Sequence, residues 1–275
     1  MNFTKMHGLG NDFVVVAEFS SVPDRIDSLA QSVCDRHFGI GADGLVLILP
    51  HERADFAMRI FNADGTEAEQ CGNAVRCVAK YVFDKQLTDK EEILLETRVG
   101  IQRLKLVIER GEVAQVTVDM GEPKLAGREI PTQVEAERVI DHPISVADGE
   151  FRFTAVSMGN PHAVIFVESL ESVRLHQAGP QIETNLLFPR RTNVEFVQVH
   201  GPDEVTMRVW ERGCGETLAC GSGACAVVVA GVLNGRTSRN AVVHLQGGDL
   251  QIEWRESDNR VYMTGPSRIV FEGVY

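Results

Sequence analysis

The segment "MRIFNADGTEAEQCG", Met58 to Gly72, lies without a gap on "MRVWERGCGETLACG", Met207 to Gly221. Each copy carries Met-Arg, a β-branched residue, an aromatic, a shared Glu and a closing Cys-Gly, and the two closing cysteines are 220 − 71 = 149 residues apart. The same offset sets Gly10-Asn11 of "GLGND" against Gly159-Asn160 of "SMGNP". One ungapped spacing held over more than sixty positions is the mark of an internal repeat. At 275 residues the chain is long for one core and sufficient for two, so it reads as two homologous halves, about residues 1–120 and 145–265.

Both halves show the same succession of elements. Short β-rich runs come first: "FVVV", "LVLIL" and "AMRIF", then "HAVIFV", "NVEFVQV" and "TMRVW". A long apolar helix follows in each. The first is expected from about Gly72 to Gln86, with Val75, Val78, Ala79, Val82 and Phe83 at helical spacing. The second, from Gly221 to Leu233, is apolar nearly all round, as a helix enclosed by sheet is. Its "AVVVAGVL" favours a strand taken alone, but the repeat and the Asn234-Gly235 stop decide for helix. Further strands close each half, "QRLKLVIE" and "AQVTVDMG" against "LQIEW" and "RVYMTG". The segment Glu122 to Asp148, with three prolines, reads as the connection, with room for one strand.

Composition narrows the function. With 39 acidic against 27 basic residues the net charge is −12, and no Lys/Arg block stands out, so nucleic acid is not an expected partner. No apolar run reaches the roughly 18–20 residues of a membrane span, and the start has no signal pattern; a cytosolic protein is expected. The six cysteines form no C-x-x-C pair, and no paired histidines suggest a metal, so no metal site is expected. Cys34, Cys77 and Cys225 read as small buried hydrophobes. "GIGADG", Gly39 to Gly44, spells a dinucleotide-type glycine pattern, but a strand-like run follows where a helix is required, so it reads as a loop.

Cys71 and Cys220 differ from the other cysteines in sitting at strand-to-helix turns. A helix start offers free N–H groups and partial positive charge, which bind a carboxylate and lower a thiol's pKa. If the halves face each other, one thiolate can remove a proton from carbon while the other thiol returns one on the opposite face, with inversion as the result. Asn11, Asn62, Asn73, Asn160 and Asn193 follow or begin turns and can bind a substrate bearing both charges. Asn62 maps onto Glu211, beside Arg212, which can grip a carboxylate through two bonds. His162 lies beside Asn160 in "GNPH".

At "KMHGLGNDF", "RIFNADG", "QCGNAVRC", "SMGNPH", "RTNVEF" and "WERGCGETLACGSGAC" the chain resembles the diaminopimelate epimerase family, over nearly its whole length. The resemblance implies an α+β fold of two pseudo-symmetric homologous domains, each a mixed, largely antiparallel β-sheet or barrel wrapped around a central α-helix. The domains expected are residues 1–120, joined by the tail 267–275, and residues 121–266. It implies a cytoplasmic homodimer acting on diaminopimelate without a cofactor, in lysine and cell-wall precursor synthesis. Cys71 and Cys220 would be the acid/base pair, and the backbone at Gly72-Asn73 and Gly221-Ser222 would hold the reacting carboxylate. Asn11, Asn62, Asn160, Asn193 and Arg212 would read the distal end, while His162 and Glu211 would contact the reacting amino group or tune the thiols. Gly44 departs from the family, some of whose members carry Gln there, and Cys214 stands where a small apolar residue is usual.

Two rivals remain. A proline racemase-like enzyme would share the cysteine pair, yet there a His is expected directly after the first Cys-Gly, where this chain has Asn73. A non-catalytic amino-acid-binding protein would use the helix starts as an anion clamp and leaves the paired thiols unexplained.

Overall fold

The computed structural model describes residues 1–68 and 71–275; Glu69 and Gln70, inside the first copy of the repeated segment, lie outside the described residues. The chain divides into two compact units, Met1–Asp119 with Thr264–Tyr275, and Met120–Met263.

In the first unit the order is β1 (Asn2–Gly8), β2 (Asn11–Val16), α1 (Ile26–Cys34), β3 (Gly44–Leu49), β4 (Phe56–Asn62), β5 (Glu67–Ala68), α2 (Gly72–Asp84), β6 (Glu92–Thr97), β7 (Gly100–Glu109) and β8 (Glu112–Asp119). The second unit runs β9 (His142–Val146), β10 (Gly149–Ser157), β11 (Pro161–Val167), α3 (Leu175–Glu183), β12 (Asn193–Gly201), β13 (Glu204–Glu211), β14 (Gly215–Glu216), α4 (Gly221–Leu233), β15 (Asn240–Leu245), β16 (Gly248–Trp254) and β17 (Val261–Gly265). β18 (Arg268–Val274) then returns to the first unit and pairs antiparallel with β1.

The 149-residue offset extends well beyond the quoted segment. It carries α1 onto α3 and α2 onto α4 residue for residue, and brings β2 through β8 to within a few residues of β11 through β17. Pairing repeats as well. β2–β3 and β4–β6 are parallel in the first unit, as β11–β12 and β13–β15 are in the second. The other registered pairs in each unit, such as β3–β4 and β12–β13, are antiparallel. A parallel pair cannot be joined by a tight turn and needs a crossover, which here is a helix each time: α1, α2, α3 and α4. The fold is thus two homologous α+β domains with mixed, largely antiparallel sheets.

α2 and α4 are the central helices. α2 buries Ala74, Val75, Cys77, Val78, Ala79 and Val82, and α4 is buried almost throughout. Both end in the same way. Gln86 and Gly235, equivalent by the offset, take left-handed backbone (φ 58° and 65°), and the next N–H closes back on Val82 O and Gly231 O. The Asn-Gly stop read from sequence therefore acts as a C-cap, although in the first half a non-glycine does the same. The helix expected to run to Gln86 ends at Asp84.

Sequence patterning leaves out α1 and α3, nine residues each, the latter with Pro180 inside. The connection contains β9, paired with β10, and a bridge from Lys124 to Ser157. The glycine pattern at 39–43 is a loop leading into β3. Cys34, Cys77 and Cys225 are buried, and burial pushes the first two thiols up to about 11 and about 12.

One pair of exchanges shows how the copies repacked. Phe61 and Ala30 of the first core correspond to Trp210 and Gly179 of the second. A Cβ at Gly179 would lie 2.7 Å from the Trp210 ring, so the larger aromatic requires the missing methyl. Gly179→Ala should lower stability by about 1–3 kcal/mol, as overpacking does, read from the urea-unfolding midpoint. An unchanged midpoint would contradict that contact.

Candidate active site

Cys71 and Cys220 are the N-cap residues of α2 and α4, both with extended backbone. Their carbonyls accept the first helical bonds, from Val75 and Ala224. Gly72 and Gly221 follow as the first helical residues, whose N–H groups have no earlier turn to bond. Close approach enforces the second glycine: a Cβ on Gly221 would lie 2.8 Å from Met263 Sδ.

In the first unit, Cys71 Sγ donates to Asn11 Oδ1 at 3.4 Å, and Asn73 Nδ2 donates to the same oxygen at 3.2 Å. Asn11 is turned this way because its own Nδ2 donates to Asp43 Oδ2 at 2.8 Å. Asp43 belongs to a charged group with Asp12, Arg36 and Lys5. Burial alone would raise the Asp12 pKa, but hydrogen bonds from Arg36 and Lys5 hold it well below the usual carboxylate range. Beneath the helix start, Arg76 is wholly buried and donates to Asn73 Oδ1 at 2.7 Å and to Gly72 O at 3.1 Å. Asn62, exposed at the end of β4, gives its amide to Thr66 Oγ1 instead.

In the second unit Cys220 is buried, with Ser222 Oγ 3.6 Å from its sulfur. Asn160 Nδ2 donates to Ser222 Oγ at 3.2 Å, and His162 Nε2 lies 3.0 Å from Asn160 Oδ1. His162 Nδ1 is 2.6 Å from Glu195 Oε1, both side chains fully buried. Burial pushes the Cys220 thiol well above its ordinary pKa, and the charge of Glu211 pushes the same way. Asn193 bridges strands, donating to Pro161 O at 2.9 Å and accepting from the Arg212 backbone at 2.9 Å, while Glu211 accepts from Thr217 Oγ1 at 2.5 Å. The Arg212 guanidinium is exposed, 3.4 Å from Arg190 O.

The structure thus brings Asn11, Cys71, Gly72 and Asn73 together in one unit, and Asn160, His162, Cys220 and Ser222 in the other. Of the two departures, Gly44 opens β3 where a Cβ would lie 2.9 Å from Phe61 O, and Cys214 is exposed in the turn after β13. Asp43, Arg76 and Glu195 are the site neighbours that sequence patterning passes over. For Arg76 and Glu195 the available signal was a charged residue where the other copy has an apolar one, Cys225 and Val46. Among the described residues, no three or more His, Cys, Asp and Glu side chains gather in a way that could hold a metal, and no helix is long and apolar enough to cross a membrane.

Comparison with known proteins agrees over the full length. The fold is shared with a predicted epimerase from Pseudomonas aeruginosa (TM-score 0.72, 17% identity, covering 100% of this chain and 98% of that one). It is also shared with a hydroxyproline epimerase from Agrobacterium vitis (TM-score 0.69, 15% identity, covering 99% and 91%). Among sequence relatives, the diaminopimelate epimerase of Pelotomaculum thermopropionicum is 56% identical over 277 residues, covering 100% of this chain and 99% of its own. That of Methanococcus maripaludis is 56% identical over 273 residues, covering 99% of each. The family pattern described as diaminopimelate epimerase matches residues 3–126 and 154–270, and with cysteines capping both central helices the chain belongs to the diaminopimelate epimerase family.

Proposed function

We propose that the chain is an isomerase that converts LL-2,6-diaminopimelate to meso-2,6-diaminopimelate by two-base proton transfer, with Cys71 and Cys220 as the pair. The observation that carries this is the equivalence of the two thiols: each caps a central helix at the same repeat position, followed by N–H groups suited to a carboxylate. In one direction a thiolate takes the α-proton and the other thiol gives its own to the opposite face; the two exchange roles in reverse. The scheme calls on no cofactor.

The backbone at Gly72-Asn73 and Gly221-Ser222 holds the reacting carboxylate. Asn11, Asn62, Asn160, Asn193 and Arg212 read the distal amino-acid end, and His162 and Glu211 tune the thiols or meet the reacting amino group. The same reading makes the protein a cytoplasmic homodimer that serves lysine and peptidoglycan precursor synthesis. Incubation with LL-diaminopimelate should yield the meso isomer, with solvent deuterium entering the inverted carbon. A binding protein would give neither, and a proline racemase-like enzyme would turn over proline instead.

Arg212→Ala should raise KM by roughly 10- to 100-fold, since a charge-assisted contact is worth about 1.5–3 kcal/mol. Alkylation of both thiols should stay near normal. An unchanged KM would show that the distal carboxylate is read elsewhere.

A further inference from the structure

The two thiol environments are not copies of one another. The offset maps His162 onto Phe13 and Glu195 onto Val46, both buried apolar residues in the first unit. Among the described residues, only the second copy therefore has a buried acid and an imidazole behind its thiol. Glu195 is also packed hard against the start of α4: a Cβ on Gly223 would lie 2.8 Å from its Oε1 and 3.2 Å from Cys220 Sγ. Its other oxygen, Oε2, is buried without a hydrogen-bond partner among the described residues. A bare carboxylate so placed is costly, and burial accordingly raises the Glu195 pKa.

Hydrogen-bond bookkeeping fixes the protons. Asn160 gives an amide hydrogen to Ser222, so its carbonyl oxygen faces His162 and Nε2 must be the donor there. A second proton then lies between Nδ1 and Glu195 Oε1, and the buried pair carries no net charge. Ser222 Oγ, already accepting from Asn160, keeps its single hydrogen for a further acceptor, and the Cys220 sulfur lies 3.6 Å away.

We propose that Glu195 is a positioning residue that shares a proton with His162 and thereby imposes a hydrogen-bond donor, through Asn160 and Ser222, on the sulfur of Cys220. The proposal rests on the reading of Cys220 as one of the two acid/base groups. The imposed donor stabilises the thiolate when Cys220 has given up its proton, against the burial and the Glu211 charge that oppose ionisation. Cys71, whose sulfur faces the Asn11 carbonyl oxygen, has a different control.

Glu195→Val, which installs the residue of the other copy, tests this in the full chain. Iodoacetamide alkylation at pH 8, followed by mass spectrometry of the Cys220 peptide, should slow at least threefold while Cys71 keeps its rate. The kcat should fall at least tenfold with KM within threefold. Glu195→Gln keeps the shape and can donate to Nδ1, so it should recover most of both losses. Faster alkylation of Cys220 in Glu195→Val would mean that Glu195 acts as a bare negative charge, and unchanged alkylation would mean that it only fills space; either overturns the relay, as does a Gln variant no better than Val. If the Val variant does not fold, nitrogen-15 shifts of His162 in the unaltered protein decide, because the relay requires a proton on Nε2, and an unprotonated Nε2 would overturn it. The alkylation and nitrogen-15 readings use the free protein, so absence of epimerisation by the unaltered chain would refute the proposed function while leaving the relay to be decided by them.

Discussion

Cys71→Ala and Cys220→Ala should each abolish epimerisation while leaving the fold intact. On the proposed two-base reading, a variant with one thiol can take a proton from the α-carbon, but nothing then returns one to the opposite face. Removal of one positioned acid or base costs about 100- to 10,000-fold, and the upper end is expected because the step is lost rather than weakened. Neither substitution should unfold the chain. Both cysteines cap their helices through backbone geometry, with no side-chain cap bond, so the first turns keep their hydrogen bonds. Serine in either position should retain elimination from a β-halogenated substrate analogue, which needs one base, at a reduced rate. Near-normal inversion by either alanine variant would remove the two-base assignment.

The second large effect is on stability. Arg76 is wholly buried and donates to Gly72 O, Asn73 Oδ1 and Pro266 O, while its own carbonyl accepts from Ser267 Oγ. It thereby ties the start of α2 to the segment leading into β18. Arg76→Ala leaves three acceptors without these donors and a cavity the size of a long side chain. Loss of hydrogen bonds to a charged group, with the cavity cost added, is expected to destabilise by about 3–5 kcal/mol. Arg76→Met, which restores volume alone, should recover only part. Urea unfolding followed by far-UV circular dichroism measures both, and a loss below about 1 kcal/mol in the alanine variant would show that the buried guanidinium is not what holds this junction.

The sequence was most readable where periodicity and repetition coincide. α4 reads as a helix against the strand preference of its β-branched residues because its copy reads as one, and the cap cysteines follow from the same alignment. Patterning is weakest where tertiary context dominates. α1 and α3 are short, and an internal Pro180 in the latter masks its apolar stripe. The second layer of the site was hidden for another reason. Glu195 sits in a β-rich run where an isolated acid reads as a solvent-facing residue of a half-buried strand, yet its side chain turns inward because His162 waits in the adjacent parallel strand, paired at Asn193. Only its exchange for Val46 across the repeat marks it, and that becomes meaningful once the strands are in register. The order of Asn11 and Asp43 is similar: 32 residues apart in sequence, they meet only because β2 and β3 run side by side.

The return of the chain at β18 has a consequence for biosynthesis. Residues 120–263 form a contiguous unit, complete in sequence once Met263 has left the ribosome. The first unit is made earlier, yet β1, paired with β2 on one side, lacks its second antiparallel neighbour until residues 268–274 are also out. Domains usually mature in the order of their synthesis. Here the half made first should be finished last, and a nascent chain stalled before Arg268 would expose the open edge of β1, a template for pairing with other chains that chaperones would have to shield.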